Sequence, residues 1–349
     1  MSRCSVDNSI QRVTVDGFDF PLGVYPVEEM QPKEGFTLNF ESADGGDDPE
    51  DEGEGEWEEW PDRYVWDINI RSARLEGLIR QLFAMLPGRV FPILDVLGND
   101  AHREIDPYVA YELVGQERFL EGVRRFRGYL LEDGLVGFGA MSDDPFIYVF
   151  IDEHKIVTVR AEVQLKDRID KVLAAFDLEG VPTIAGADAA AHEHRGVLEA
   201  PENRPDLLTA DEIVEELRDL WGLALNIDGE GNVDDEGAEL GITPWRLVLR
   251  SVSDDGQFRY AEAILTADSL HAAQELGADA LASLLDDADS TDFDPESDDE
   301  GPQLDVMSAD RLTTERLAEA LRNAAQTTRR GNPKVDLQTS AVWSSRWMD

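Results

Sequence analysis

Apolar and polar positions alternate over Tyr64–Ile70. Trp66, Ile68 and Ile70 fall on one side and Val65, Asp67 and Asn69 on the other, the period-two signature of a half-buried strand. Ser72 then supplies a helix N-cap, and Leu75, Leu78, Ile79, Leu82, Phe83 and Leu86 recur at helical spacing to form one apolar face. Pro87-Gly88 ends that helix, Val90–Leu97 reads as a second strand, and Gly98-Asn99-Asp100 as a turn. The order then repeats. Tyr108–Val114 is strand-like, Phe119, Val123, Phe126 and Leu130 mark a helix face, and Asp133-Gly134 turns the chain into Leu135–Met141. Aligning the two passages pairs Tyr64 with Tyr108, Arg74 with Arg118 and Leu86 with Leu130. Two consecutive strand–helix–strand units predict an α+β domain of the ferredoxin-like βαββαβ type, with both helices on one face of the sheet.

Phe146–Ile151 and Lys155–Arg160 predict an extra hairpin around Asp152-Glu153-His154. Leu165, Ile169, Val172, Leu173 and Phe176 predict a helix after it. Thr209-Ala210-Asp211-Glu212 is a capping box opening a helix with Ile213, Leu217, Leu220 and Trp221 inward. With Leu223–Ile227, the hairpin pair Arg246–Val252 and Gln257–Leu265, and the helix Leu270–Leu285, it predicts a second small α+β domain.

Charge changes this picture. The chain has 75 Asp and Glu against 31 Lys and Arg in 349 residues, a net of -44. Three stretches without Lys or Arg, Glu41–Glu59, Asp228–Glu239 and Asp286–Glu300, concentrate the acids. Blocks of like charge stay hydrated and do not pack, so the first and last predict disordered tethers. The predicted organisation is N-terminal strands and an acidic linker over 1–61, a ferredoxin-like domain over 62–179 and a linker over 180–208. The second domain follows over 209–285, then an acidic linker over 286–307, and a C-terminal helix and tail over 308–349.

Such a charge opposes binding a nucleic-acid backbone, which needs clustered cations. No apolar stretch is long enough for a membrane span, no signal-peptide core is visible, and Cys4 is the only cysteine, so the expected setting is a reducing cytoplasm. Phosphate-binding glycine loops, nucleophile elbows and the HExxH zinc motif are missing, and no cofactor is predicted.

Four groups of residues remain as candidates. His192 and His194, two apart, would share one face of a strand and can bind zinc with Asp188, although no third histidine is near in sequence. The loop from Asn226 through Asp228, Glu230, Gly231 and Val233 follows a calcium-loop pattern but ends on Gly237 where a bidentate Glu is required. Arg118, Arg124, Arg125 and Arg127 form a basic helix face that either pairs with Glu117 and Glu121 or binds an acidic partner. Trp343 and Trp347, on one side of a short terminal helix, can anchor a partner groove. The expected role is a non-catalytic binding or assembly module for a basic or hydrophobic protein partner. The alternatives are a divalent-metal-dependent, hydrolase-like enzyme using carboxylates and His192 or His194, and a nucleic-acid mimic or inhibitor.

Overall fold

The structure, a computed structural model, describes residues 4–43, 61–199, 206–252, 258–288, 303–328 and 338–348. Most of both predicted acidic tethers (44–59 and 289–300) lies outside the described residues. The chain divides into two units, Met1–Leu97 with Pro107–Asn226, and Gly98–Asp106 with Ile227–Asp349. Among the described residues no helix is long and apolar enough to cross a membrane.

The first unit opens with short strands β1 (Thr14–Val15), β2 (Phe18–Asp19) and β3 (Val24–Pro26), then β4 (Gly35–Glu41) and β5 (Arg63–Asn69). Helix α1 (Ser72–Phe83), β6 (Arg89–Leu97), β7 (Ile105–Ala110), β8 (Val114–Gly115), α2 (Gln116–Arg125) and α3 (Arg127–Glu132) follow. Then come β9 (Val136–Asp143), β10 (Phe146–Ile151), β11 (Val157–Glu162), α4 (Lys166–Ala175), β12 (His192–His194), α5 (Ala210–Trp221) and β13 (Leu223–Leu225). A nine-stranded sheet runs β13-β7-β6-β9-β10-β11-β5-β4, with β8 added to β6.

The class is mixed α+β, but the ferredoxin-like order is not what forms. That order sets the first and third strands side by side, whereas β5 and β7 are separated by β6, β9, β10 and β11. The reason lies in β10 and β11. Phe146, Ile147, Val149, Phe150 and Ile151 are all buried, as are Val157, Val159 and Ala161, so this hairpin needs cover along both edges and both faces. It inserts between β9 and β5, with Val149 opposite Ala140 and Val159 opposite Trp66.

Helix α5 and strand β13, expected with the second domain, pack inside the first unit. Ile213, Leu217 and Trp221 join its core, and β13 pairs with β7. Gly122 on α2 makes room for the indole, because a Cβ there would lie 2.6 Å from Trp221 Nε1. The stretch expected as a linker is also engaged as far as Glu199. Asn69, buried on β5, donates to Lys33 O and Ala185 O at 3.0 and 2.8 Å, and β12 pairs with β3.

The second unit is a four-stranded antiparallel sheet in the order β16-β14-β15-β17: β14 (Thr243–Val252), β15 (Phe258–Ala267), β16 (Gln303–Arg311) and β17 (Ala341–Trp347). Helix α6 (Leu270–Ala288) packs against it, Gly277 meeting Leu247. Leu317 and Leu321 of α7 (Thr314–Thr328) cluster with Ile264 and Leu312. The predicted C-terminal helix bearing Trp343 and Trp347 is instead strand β17. Its register skips one residue at Trp343, a bulge that sends the indole onto the Ile264 cluster and its Nε1 to Thr266 Oγ1 at 3.0 Å.

Candidate metal centre

The hairpin tip between β10 and β11 is short and fixed. Asp152 bonds Ile156 through backbone and side chain, its Oδ1 accepting from Ile156 N at 2.7 Å. Lys155 closes the turn at a φ of 66° and turns inward, its Nζ donating to Val136 O at 2.5 Å. Burial lowers the Lys155 ammonium to about 8, against the pull of Asp133, Asp152 and Glu153. With residue 155 turned in, His154 stands at the tip of the hairpin.

A second element faces it. In the ribbon of β3 and β12, His192 lies opposite Pro26 and His194 opposite Val24, while Tyr25 and Glu193 pair on the other face. Val24 is fully buried with Phe18, Phe20 and Ala187, which seats the ribbon. The ribbon joins the main sheet by a close backbone approach. Gly23 N donates to Glu132 O at 2.7 Å, Arg195 N to Gly23 O at 2.8 Å, and Gly134 N to Arg195 O at 3.2 Å. Gly23 and Gly134 are required there, since a Cβ on either would lie 2.0 Å from the other's backbone.

The three imidazoles form a nearly equilateral triangle. Ring centroids are 4.8 Å apart for His154 and His192, 4.9 Å for His154 and His194, and 5.0 Å for His192 and His194. One donor nitrogen from each lies within 4.8 Å of the others, and His154 Nε2 is 3.0 Å from His192 Nε2. Metal–nitrogen bonds of about 2.0–2.1 Å in a tetrahedron place neighbouring nitrogens roughly 3.3 Å apart. The His154–His192 edge is close to that spacing, and the third nitrogen lies within 4.8 Å of both.

The outer nitrogens set the tautomers. His192 Nδ1 lies 2.8 Å from Ala190 O, and His194 Nδ1 lies 2.6 Å from Gly134 O. A carbonyl only accepts, so both Nδ1 atoms carry hydrogen and both Nε2 lone pairs face the triangle. This is the supporting arrangement metal-bound histidines require. His154 Nδ1 lies 3.3 Å from Glu153 Oε1 and 3.6 Å from Asp152 Oδ2.

Burial and neighbouring charge move two of the histidines in opposite directions. Burial pulls His154 down, but Asp152, Glu153 and Asp188 outweigh it and raise its proton affinity overall. His194 moves the other way: burial lowers it, its bond to Gly134 resists, and the two neighbouring rings lower it further. Burial also lifts the Asp95 carboxyl to about 6, with Glu153 adding to the effect.

The structure thus brings His192 and His194 together with His154, which the sequence reading missed. The sequence holds only five histidines, and His154 sits on a two-residue acidic hairpin tip after a fully apolar strand. That was the available signal, but no spacing rule joins it to a ribbon 38 residues later. Asp188, on the short turn Ala187–Ala189, is near enough to act on His154 by charge but is not one of the converging groups.

The other candidates are engaged within the chain. Arg125 pairs with Glu216, Arg127 lies 3.9 Å from Glu76, Arg118 donates to Asp219 O at 3.3 Å, and Arg124 is exposed. The Asp228–Glu239 loop caps itself, with Asp228 Oδ1 accepting from Glu230 N and Asp234 Oδ1 from Glu236 N and Ala238 N. Trp347 stacks on the Arg259 guanidinium, 3.7 Å from ring centre to carbon. Comparison with family models, curated proteins and solved structures gives no match, so the geometry alone carries the functional reading.

Proposed function

We propose that the protein is a divalent-metal-dependent, hydrolase-like enzyme whose metal, zinc by ligand type, is held by His154, His192 and His194. The observation that carries the reading is the inward convergence of three imidazole nitrogens, two with tautomers set by backbone carbonyls. Imidazole suits zinc and neighbouring transition metals, and three protein ligands leave one tetrahedral position for water. A metal there would lower the proton affinity of that water to about neutral pH. Asp152 and Glu153 lie against the outer nitrogen of His154, where they would orient that imidazole and raise its basicity as a ligand. The reading as a non-catalytic binding module loses support, because three of its four arginines and both of its tryptophans make contacts within the chain.

The test is metal content and hydrolysis together. The purified chain should hold one zinc per molecule, and the cobalt form should show the intense visible bands of a tetrahedral site. An activated ester such as 4-nitrophenyl acetate should be hydrolysed with a rate that rises through neutral pH. His154→Ala should remove metal and rate alike. A chain that takes up no metal at micromolar zinc sinks the proposal.

A structural role for the same metal has one observation in its favour. The ribbon it would clamp has strands of only three residues, too short to hold themselves. Metal-dependent stability without hydrolysis would select that role.

A further inference from the structure

A second polar site is built into the sheet of the second unit. Asp310, Arg246, Glu262 and Arg346 form a charged row across β16, β14, β15 and β17, on the face that α7 covers. Arg246 is the cross-strand partner of Asp310, and Glu262 that of Arg346. Together with Asn99, Leu312, Arg316, Glu319, Ala320 and Asn323 the row lines a cavity of about 310 Å³.

The row alternates in sign, but its pairing is lopsided. Both sheet arginines serve Glu262, with Arg246 Nε at 2.7 Å and Arg346 Nη2 at 2.7 Å. Burial pushes the Glu262 carboxyl up, yet these two bonds prevail and hold it below its usual value. Asp310 is left over. It is 4% exposed, and its carboxylate makes no hydrogen bond or ion pair with another described residue. A buried carboxylate in that condition is costly unless something completes it.

The roof of the cavity supplies the opposite charge. Arg316 on α7 donates to Asn99 O through Nη1 at 3.0 Å, and Arg246 meets Glu262 through Nε alone. Each guanidinium carries five N–H donors, so both retain donors beyond these bonds. The cavity therefore offers a fork for a carboxylate and, beside it, a buried acceptor for a cation. A free anion would have to approach a chain of net charge -44, whereas a neutral dipolar molecule would not be repelled.

We propose that this cavity binds a small zwitterion of the α-amino-acid type, its carboxylate on Arg246 and Arg316 and its ammonium on Asp310. The volume is at the lower end of small-molecule sites, which suits a molecule of that size. The site is separate from the histidine triangle and stands or falls without it.

The experiment uses the full chain and calorimetric titration with individual L-amino acids, with succinate and ethanolamine as half-ligands. At least one amino acid should bind, and neither half-ligand should bind at the same concentration. Asp310→Asn and Arg316→Gln should each weaken that binding at least about tenfold. Arg316 is exposed, so its variant should keep the wild-type circular dichroism and isolate binding from folding. No heat with any amino acid up to about 10 mM, weaker than almost any physiological ligand, would overturn the proposal. So would binding unchanged in both variants, or succinate binding as tightly as the best amino acid.

Discussion

The half-buried histidine triangle of the first unit and the buried Asp100–Arg311 pair of the second both gather polar groups, but they complete them differently. Arg311, 4% exposed, donates Nε to Asp100 Oδ1 at 2.9 Å and Nη1 to Asn232 Oδ1 and Val233 O at 3.1 and 2.5 Å. The Asp100 side chain is fully buried and also accepts from the backbone N–H groups of Arg311 and His102. Every strong group there has a partner from the chain itself. In the triangle only the outer nitrogens of His192 and His194 are satisfied by the backbone, while the inner ones face one another. A saturated cluster is a structural lock. A cluster satisfied by the backbone only on its rim keeps its inner nitrogens for the metal proposed above.

That contrast predicts unequal responses to mutation. Arg311→Ala should be the most damaging change, costing about 3–5 kcal/mol by stranding the Asp100 charge in the interior. Urea unfolding of the second unit would show it, and a loss under 1 kcal/mol would erase the distinction. His154→Ala should leave metal-free stability almost unchanged yet abolish the gain on adding zinc. That gain is about 2.7 kcal/mol at a hundred times the dissociation constant. Thermal melts with and without zinc and chelator measure both halves.

Asp310 lies between the two extremes, buried but incomplete. Burial, reinforced by Asp106 and Asp100 and opposed by Arg246 and Arg103, raises it from 3.8 to about 6. A raised acid holds its proton more tightly folded than unfolded. Its contribution is therefore full below about pH 4 and is lost as pH rises through about 6. The loss should be under about 2 kcal/mol once partial solvent access is allowed for, and Asp310→Asn should flatten that part of the stability profile. Smallest of all, Trp347→Ala should cost about 0.5–1 kcal/mol by removing a surface cation–π contact with Arg259. A much larger drop in melting temperature would make β17 a principal brace of its sheet.

Much of the secondary structure was legible because local pattern determines it. The strand Tyr64–Ile70, the helix face from Leu75 to Phe83 and the capping box at Thr209 all form where the periodicity places them. Strand order was not legible, because it depends on which hairpin needs cover on both faces, and that emerges only when β9, β10 and β11 meet. The same holds for α5. Its apolar face reads clearly, but the notch that receives Trp221 is made by Gly122, far away in sequence. At the candidate site, His192 and His194 could be picked out by spacing. His154 could not, since its place depends on the inward turn of Lys155 and on a glycine contact between Gly23 and Gly134.

That glycine contact has a practical consequence for anyone handling the protein. None of the three histidines lies in the first forty positions, yet β3 holds β12 in register and Gly23 docks both against Gly134. Trimming the N-terminus, or replacing Gly23 with even an alanine, should abolish metal uptake while leaving all three histidines intact. A metal assay on a shortened expression product would then report a missing scaffold rather than a missing ligand.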